Sequence, residues 1–301
     1  MKIFTLIENT VFQASLFAEH GLCLLIEADK KILFDTGQSP KFIENAKLLG
    51  IDIEDIDYLV VSHGHYDHAG GIEAFCKINK KAHIFVGEGF FTPKFKDKSK
   101  FIGIKDLIYK NDNLKSRFNF VNKITNICTN FYILPKIKIE NNWDTHFEGM
   151  YIADNNINSI NNINNIKDKS EIKNFTNNKD KNDNIDNIER YQIDQFEDEI
   201  ALIIEKDDKI KIISGCSHRG ITNVIQMALN LFNRQINLVL GGFHISNLDD
   251  FNMQRFIEKL SCFSINKIGC CHCTGIEKFA KLKNVFGEKV FYNSTGNIIE
   301  I

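Results

Sequence analysis

"YLVVSHGHYDHAGG", residues 58–71, is an apolar run that ends in three histidines and one aspartate within six positions. Its opening residues are β-branched and aromatic, as a buried strand requires. The histidines that follow do not suit a strand core. His63 and His65 stand two residues apart, so in extended backbone both side chains leave the same face. After a turn at Tyr66, Asp67 and His68 face a second point, ahead of a helix that opens near Gly70. Neutral imidazoles and carboxylates are the usual ligands of zinc and iron. A lone histidine, or a pair, is usually structural. Four ligand-type groups bounded by glycines behind a strand are not, because unpaired polar clusters are costly to bury. The stretch therefore reads as a metal site, and four groups together favour two ions over one.

Outward from this stretch, apolar runs alternate with amphipathic segments. "GLCLLIEA" (21–28) and "KKILFDTG" (30–37) predict two strands about an Ala-Asp-Lys turn. "SPKFIENAKLLG" (39–50) predicts a helix with Ser39 as cap, Pro40 in its first turn and Gly50 at its end. The pattern returns in "EIALIIEKDDKIKIISG" (199–215), helix "ITNVIQMALNLF" (221–232), strand "INLVLGG" (236–242), helix "DFNMQRFIEKLS" (250–261) and strand "NKIGCC" (266–271). Such alternation indicates an α/β layered fold.

The halves also resemble each other. "LLIEADKKILFDTG" (24–37) and "LIIEKDDKIKIISG" (202–215) align without gaps and match at seven of fourteen positions, from Leu24/Leu202 and Ile26/Ile204 to Ile32/Ile210 and Gly37/Gly215. Each is followed by a helix-forming segment. Two such units suggest a pair of mixed sheets packed face to face with helices outside, their loops meeting at one edge. The expected organisation is one domain over 1–301. It is interrupted at 154–188 by an insertion with 13 Asn in 35 positions, one aromatic, and no Pro or Gly. That composition has little apolar surface with which to offset ordering entropy, so a mobile surface segment is expected.

Composition bounds the partners. Hydrophobic content of 43%, charged content of 25% and a net charge of −2 are those of an ordinary globular protein. That charge gives no general attraction to nucleic acid or to an anionic membrane. No run reaches the ~20 apolar residues of a membrane span, and "MKIFTLIENT" lacks the features of a signal peptide. The expectation is a cytoplasmic protein acting on a small molecule, its eight cysteines reduced.

The spelling His-x-His-x-Asp-His resembles the signature of the metallo-β-lactamase fold superfamily, and the upstream "FDTG" with Asp35, then a helix, then the strand into "SHGHYDH" agrees with it. The resemblance covers most of the chain apart from the Asn-rich region. It implies a four-layer αββα sandwich with a dinuclear site at one edge. It further implies that His63 and His65 bind the first ion while Asp67 and His68 serve the second, with Asp35 in a supporting part. Members usually add a histidine ahead of a Gly-Asp pair whose aspartate bridges both ions. Here "SGCSH" stands at that place, with Cys216 in the position of the aspartate, and "YQIDQFEDEIALII" before it has no histidine. His218 is the ligand expected in compensation, with Cys216 and Asp198 as weaker candidates. The last strand of the superfamily ends in a metal-binding histidine, which corresponds to His272. His244, one strand earlier, is expected to act at the site as proton donor or substrate contact. His20, His83 and His146 are read as ordinary side chains. The cysteines around His272 lack a second Cys/His pair at zinc-site spacing.

The order "SHGHYDHAGG", "GCSHRGITN", "GGFH", "HCTG" narrows the resemblance to a subgroup whose label implies coupling a dihydropterin to a phosphorylated aminobenzene ribofuranoside, in tetrahydromethanopterin biosynthesis. The same motifs occur in members labelled only as metal-dependent hydrolases. Two divalent cations, zinc first and iron or manganese otherwise, would activate water against an ester or clamp a diphosphate leaving group. Asp67, His244 and Arg219 are the expected catalytic side chains. Arg219 and the amides after Gly220, at a helix start, would suit a phosphate. A flavodiiron-type redox protein would want an acidic residue in place of His65 and a flavodoxin domain. A nuclease would want basic surfaces. A non-catalytic metal- or ligand-binding protein is the plainest rival.

Overall fold

The computed structural model describes residues 1–108, 111–153 and 191–300, so the segment expected at 154–188 lies outside the described residues. The chain opens with β1 (Lys2–Ile7), the hairpin β2 (Cys23–Glu27) and β3 (Lys31–Phe34), and α1 (Lys41–Leu48). Ser39 Oγ accepts from the Lys41 amide at 3.2 Å ahead of that helix. β4 (Tyr58–Val60) leads through the histidine-rich loop into α2 (Tyr66–Ala69), a single turn, then α3 (Ile72–Ile78) and β5 (His83–Gly87). Next come β6 (Lys94–Lys96), β7 (Lys100–Phe101), α4 (Asp112–Lys115) and β8 (Phe118–Val121). β9 (Thr125–Cys128), β10 (Phe131–Pro135), β11 (Met150–Ala153) and β12 (Tyr191–Ile193) precede the second hairpin, β13 (Ile200–Lys206) and β14 (Lys209–Ser214). The chain closes with α5 (Ile221–Phe232), β15 (Gln235–Gly241), α6 (Asp250–Ser261), β16 (Ile265–Cys270), α7 (Ile276–Phe286), β17 (Val290–Tyr292) and β18 (Ile298–Glu300).

Two seven-stranded mixed sheets carry the fold, in the orders β18-β1-β2-β3-β4-β5-β8 and β9-β10-β13-β14-β15-β16-β17. These correspond strand for strand: three antiparallel pairings are followed in each by three parallel ones. One buried cluster draws from both sheets, with Leu24, Ile26, Phe34 and Val60 against Leu202, Ile204, Ile213 and Leu240. On the far face of the first sheet, Leu25, Leu33 and Leu59 pack with Phe42 and Phe75 of α1 and α3. On the far face of the second, Ile210, Ile212 and Val239 pack with Val224, Ile225, Phe256 and Leu282 of the last three helices. Alternate residues of each strand thus face sheet and helices in turn, which makes four αββα layers.

The internal likeness read from sequence holds for topology but only half for residues. Leu24 and Ile26 face the inter-sheet core, as do Leu202 and Ile204. In the next strand, Ile32 faces that core while its aligned partner Ile210 faces the helices. The first hairpin pairs Glu27 with Lys31, whereas the second pairs Glu205 with Ile210. A one-residue slip turns every side chain to the other face, so the identities beyond the turn do not superpose.

A third sheet, β12-β11-β6-β7, had no signal in the sequence reading. Its strands β11 and β12 pair directly, Ala153 opposite Tyr191.

Candidate metal centre

Every strand that contributes to the site does so just past its carboxyl end, the edge at which α/β sheets bind ligands. Asp35 follows β3, His63 and His65 follow β4, and Cys216 and His218 follow β14. His244 follows β15, and His272 and Cys273 follow β16. Strained backbone collects here: Asp35, Phe196, Ser217, His244 and His272 all have φ between 50 and 60°. Non-glycine residues hold that conformation only where their surroundings over-determine it.

His63, His65 and His218 bring one ligand atom each within 4.8 Å of the others. Nε2 of each is buried and has no hydrogen-bond partner. His63 Nδ1–H donates to Ser62 Oγ at 2.9 Å, and His218 Nδ1–H donates to the His146 carbonyl at 3.3 Å. The opposite ring nitrogen of both is thereby left with its lone pair facing the cluster. Burial holds all three imidazoles well below their usual range, hence neutral, as metal ligands must be. Three orphaned neutral nitrogens on one point fit an ion at ~2.0–2.1 Å from each.

A second corner adjoins the first. His68 Nε2 lies 3.2 Å from His272 Nε2, and Asp67 Oδ2 lies 3.4 Å from His272 Nε2 and 3.9 Å from His68 Nε2. Again the outward nitrogens are anchored: His68 Nδ1–H donates to Asp35 Oδ2 at 2.6 Å and His272 Nδ1–H to Asn9 Oδ1 at 2.9 Å. Carboxylate- or carbonyl-backed imidazoles of this kind are the usual support of metal-binding histidines. Burial opposes the charge on Asp67, but His68, His20 and His272 hold it well below the usual carboxylate range. Burial likewise opposes a proton on His68, and Asp35 and Asp67 outweigh it. Cys216 stands between the corners, its Sγ 3.1 Å from His68 Nε2 and grouped with His63 and His68.

The remaining expectations are met differently. Asp198 joins none of the ligand clusters among the described residues: its Oδ1 accepts from Lys94 at 2.9 Å and its Oδ2 from the Gly64 amide at 2.8 Å. Each oxygen is thus engaged by a donor, and through the Gly64 amide the carboxylate braces the histidine loop. Arg219 donates through Nε to the Ile137 carbonyl at 2.8 Å and through Nη1 to the Gln195 carbonyl at 2.6 Å, which braces its side chain. The start of α5 is not open to phosphate, because buried Asp144 accepts there from the Thr222 amide at 2.9 Å and its hydroxyl at 2.7 Å. The positive end of the helix already has its anion. His244 lies at the rim, its ring 4.3 Å from that of His218, with Nδ1 buried and unpartnered.

Several residues of the site carried no usable signal in the sequence. His20, set aside as ordinary, puts Nε2 3.2 Å from Asp67 Oδ2. His146 hands its carbonyl to His218 and sets its ring, tilted by 41°, 5.2 Å from that of His244, whereas His83 stays on its strand beside Tyr58. Glu8, from β1's end, accepts from the His272 amide at 2.6 Å. Glu199 accepts from the amides of His218 at 2.6 Å and Arg219 at 2.8 Å, and burial pushes its carboxyl up to about 7. Phe196 stacks on His218 at 3.8 Å. Buried Lys94 bridges Asp194 at 2.8 Å and Asp198 at 2.9 Å. A cavity of about 350 Å³ beside that lysine is lined by Glu88, Asp194, Glu197 and Asp198, an acidic wall that does not invite an anion.

Residues 17–118 match the metallo-beta-lactamase superfamily model. The 7,8-dihydropterin-6-methyl-4-(β-D-ribofuranosyl)-aminobenzene-5′-phosphate synthase of Methanocaldococcus jannaschii is 29% identical over 307 residues, covering 96% of this chain and 91% of its own. An uncharacterised protein of the same organism is 29% identical over 303 residues, covering 98% of each. The crystal structure of a metal-dependent hydrolase of the β-lactamase superfamily superposes with a TM-score of 0.78 at 24% identity, covering 100% of this chain and 99% of the other.

Proposed function

We propose that this chain, which matches the metallo-beta-lactamase superfamily model over residues 17–118 and shares the fold of a metal-dependent hydrolase of that superfamily, is a metal-dependent enzyme with a two-ion centre, acting on a phosphorylated or ester small molecule. The reaction put first is the coupling of a dihydropterin to an aminobenzene ribofuranoside phosphate with release of pyrophosphate, a step of tetrahydromethanopterin biosynthesis. It follows the activity for which the relative from Methanocaldococcus jannaschii is named. We take the enzyme to be cytoplasmic, with a small-molecule substrate and neither nucleic acid nor membrane as partner. No helix among the described residues is long and apolar enough to cross a membrane.

One observation carries the reading. The unpartnered Nε2 atoms of His63, His65 and His218 adjoin Asp67, His68 and His272, whose imidazoles are anchored from behind. Zinc is the ion proposed first, and iron or manganese suit the same donors. Ions held there would supply Lewis acidity to the oxygens of a diphosphate leaving group or of a scissile ester. The protein's part is to hold that geometry. Asp35 and Asn9 orient His68 and His272, Glu199 fixes the loop that presents His218, and Cys216 stands between the corners.

The test is metal content per chain on protein purified without added metal, by inductively coupled plasma mass spectrometry, beside Cys216→Ala and His218→Ala. About two ions per chain, fewer in His218→Ala, are expected. Pyrophosphate release from a dihydropterin diphosphate should then require the aminobenzene ribofuranoside phosphate. Ester or phosphoester hydrolysis without it would move the reading to a hydrolase, and no bound metal would overturn it.

A further inference from the structure

We propose that Cys216, His244 and Cys273 form a thiolate-rich ion site of their own, suited to a soft divalent ion such as zinc. It goes beyond the two-corner centre and shares only Cys216 with it. The three residues follow three neighbouring parallel strands. Ser214, Gly241 and Cys270 stand at one level at the ends of β14, β15 and β16. Each chain then runs two or three residues further before presenting its ligand-type side chain. The ligand atoms of the three lie within 4.8 Å of one another. Tetrahedral zinc, at ~2.3 Å from sulfur and ~2.0 Å from nitrogen, needs them roughly 3.5–3.8 Å apart, which lies within that spacing.

The surroundings are built around this cluster. A side chain at residue 242 would put its Cβ 2.5 Å from Cys273 Sγ and 2.6 Å from the Gly215 carbonyl, so only glycine there leaves room for the thiol and the adjoining backbone. The His244 amide donates to Cys273 Sγ at 3.3 Å, and that thiol donates to the Cys216 carbonyl at 3.6 Å. His244 holds a left-handed φ of 50°, and its buried Nδ1 finds no partner. A buried thiol can serve merely as a small apolar group. That account does not explain why the Cys216 thiol and the His244 imidazole, both in contact with the free Cys273 thiol, are gathered on one point, which an ion explains. Two thiolates and one imidazole with a fourth position free is a known catalytic-zinc arrangement, and thiolates select soft ions over magnesium or calcium.

The experiment is cobalt(II) titration of the metal-stripped full chain, following near-ultraviolet thiolate-to-cobalt absorption, with bound cobalt counted in parallel. It is repeated in Cys273→Ser, which barely changes volume, and in His63→Ala/His65→Ala, which dismantles the imidazole corner. The site predicts a thiolate band that survives in His63→Ala/His65→Ala. In Cys273→Ser the band should be lost or need at least about tenfold more cobalt, since even residues that only support a ligand are worth that much. A band that ignores Cys273→Ser and vanishes in His63→Ala/His65→Ala would make Cys216 a ligand of the two-corner centre alone and overturn the proposal. Cobalt bound with no thiolate band would overturn it while leaving the histidine centre intact. No bound cobalt at all would overturn both.

Discussion

Asp35 does two jobs with one carboxylate. Oδ1 accepts from the Ser62 amide at 2.7 Å, which holds the loop, and Oδ2 accepts from His68 Nδ1 at 2.6 Å, which aims the ring. Asp35→Asn keeps the first bond and turns an amide toward the second. Metal affinity should fall about 10–100-fold with the fold retained, as a chelator competition would report; unchanged affinity would remove Asp35 from the site's support. Glu199 makes a prediction of opposite kind. Burial raises its folded pKa from 4.5 to about 7. Between those two values the folded protein keeps a proton that the unfolded chain has released, so stability falls as pH rises through that window and levels off above it. The sum is about 3 kcal/mol at most. In metal-stripped protein, Glu199→Gln should flatten that part of the pH–stability curve, though it gives up one of the two amide contacts. An unaltered slope in urea unfolding would assign the titration elsewhere.

At the level of elements, the loop from β4 to α2 is held from below by the ion triad Lys94, Asp194 and Asp198. All three are nearly inaccessible, at 2, 3 and 2% exposure, so their charges are compensated only by one another and by hydrogen bonds. Lys94→Met leaves two buried carboxylates with no cation and should cost about 3–5 kcal/mol, read as a lower urea midpoint. Lys94→Met combined with Asp194→Asn and Asp198→Asn should lose less than Lys94→Met alone; a larger loss would mean that the lysine acts through packing. Gly64 in the same loop tolerates no side chain, because a Cβ would come within 2.1 Å of the Phe90 carbonyl. The strands and helices here were legible from periodicity, since β-branched runs and amphipathic spacing act over a few residues. The α5 helix falls on its predicted residues, 221–232. The third sheet was not legible, because β6, β7, β11 and β12 are two to four residues long and have no pattern of their own.

For the molecule as a whole, the donors of the two corners come from both sheets, so a bound ion ties the sheets together at one edge. Chelation should therefore lower the thermal midpoint by several degrees, since an ion at 1,000 times its Kd contributes about 4 kcal/mol. Zinc or manganese should restore it. A midpoint indifferent to chelation would mean that the edge is preorganised without metal. The sequence alone determined the αββα class, the repeated hairpin–parallel-strand plan, and the group His63, His65, Asp67 and His68, because all of these are written in contacts between near neighbours. Tertiary structure alone decided that His218, already a candidate in the sequence, groups with His63 and His65, that Cys216 stands between the corners, and that Asp198 and Arg219 make loop-bracing hydrogen bonds. It also brought in His20, Glu8 and Cys273. Glu8 and His272 meet across 264 residues, and a one-residue slip in a hairpin turn inverted the faces of aligned strands. Convergence of that kind depends on strand order, register and the packing of two sheets, and no local spacing in the chain encodes it.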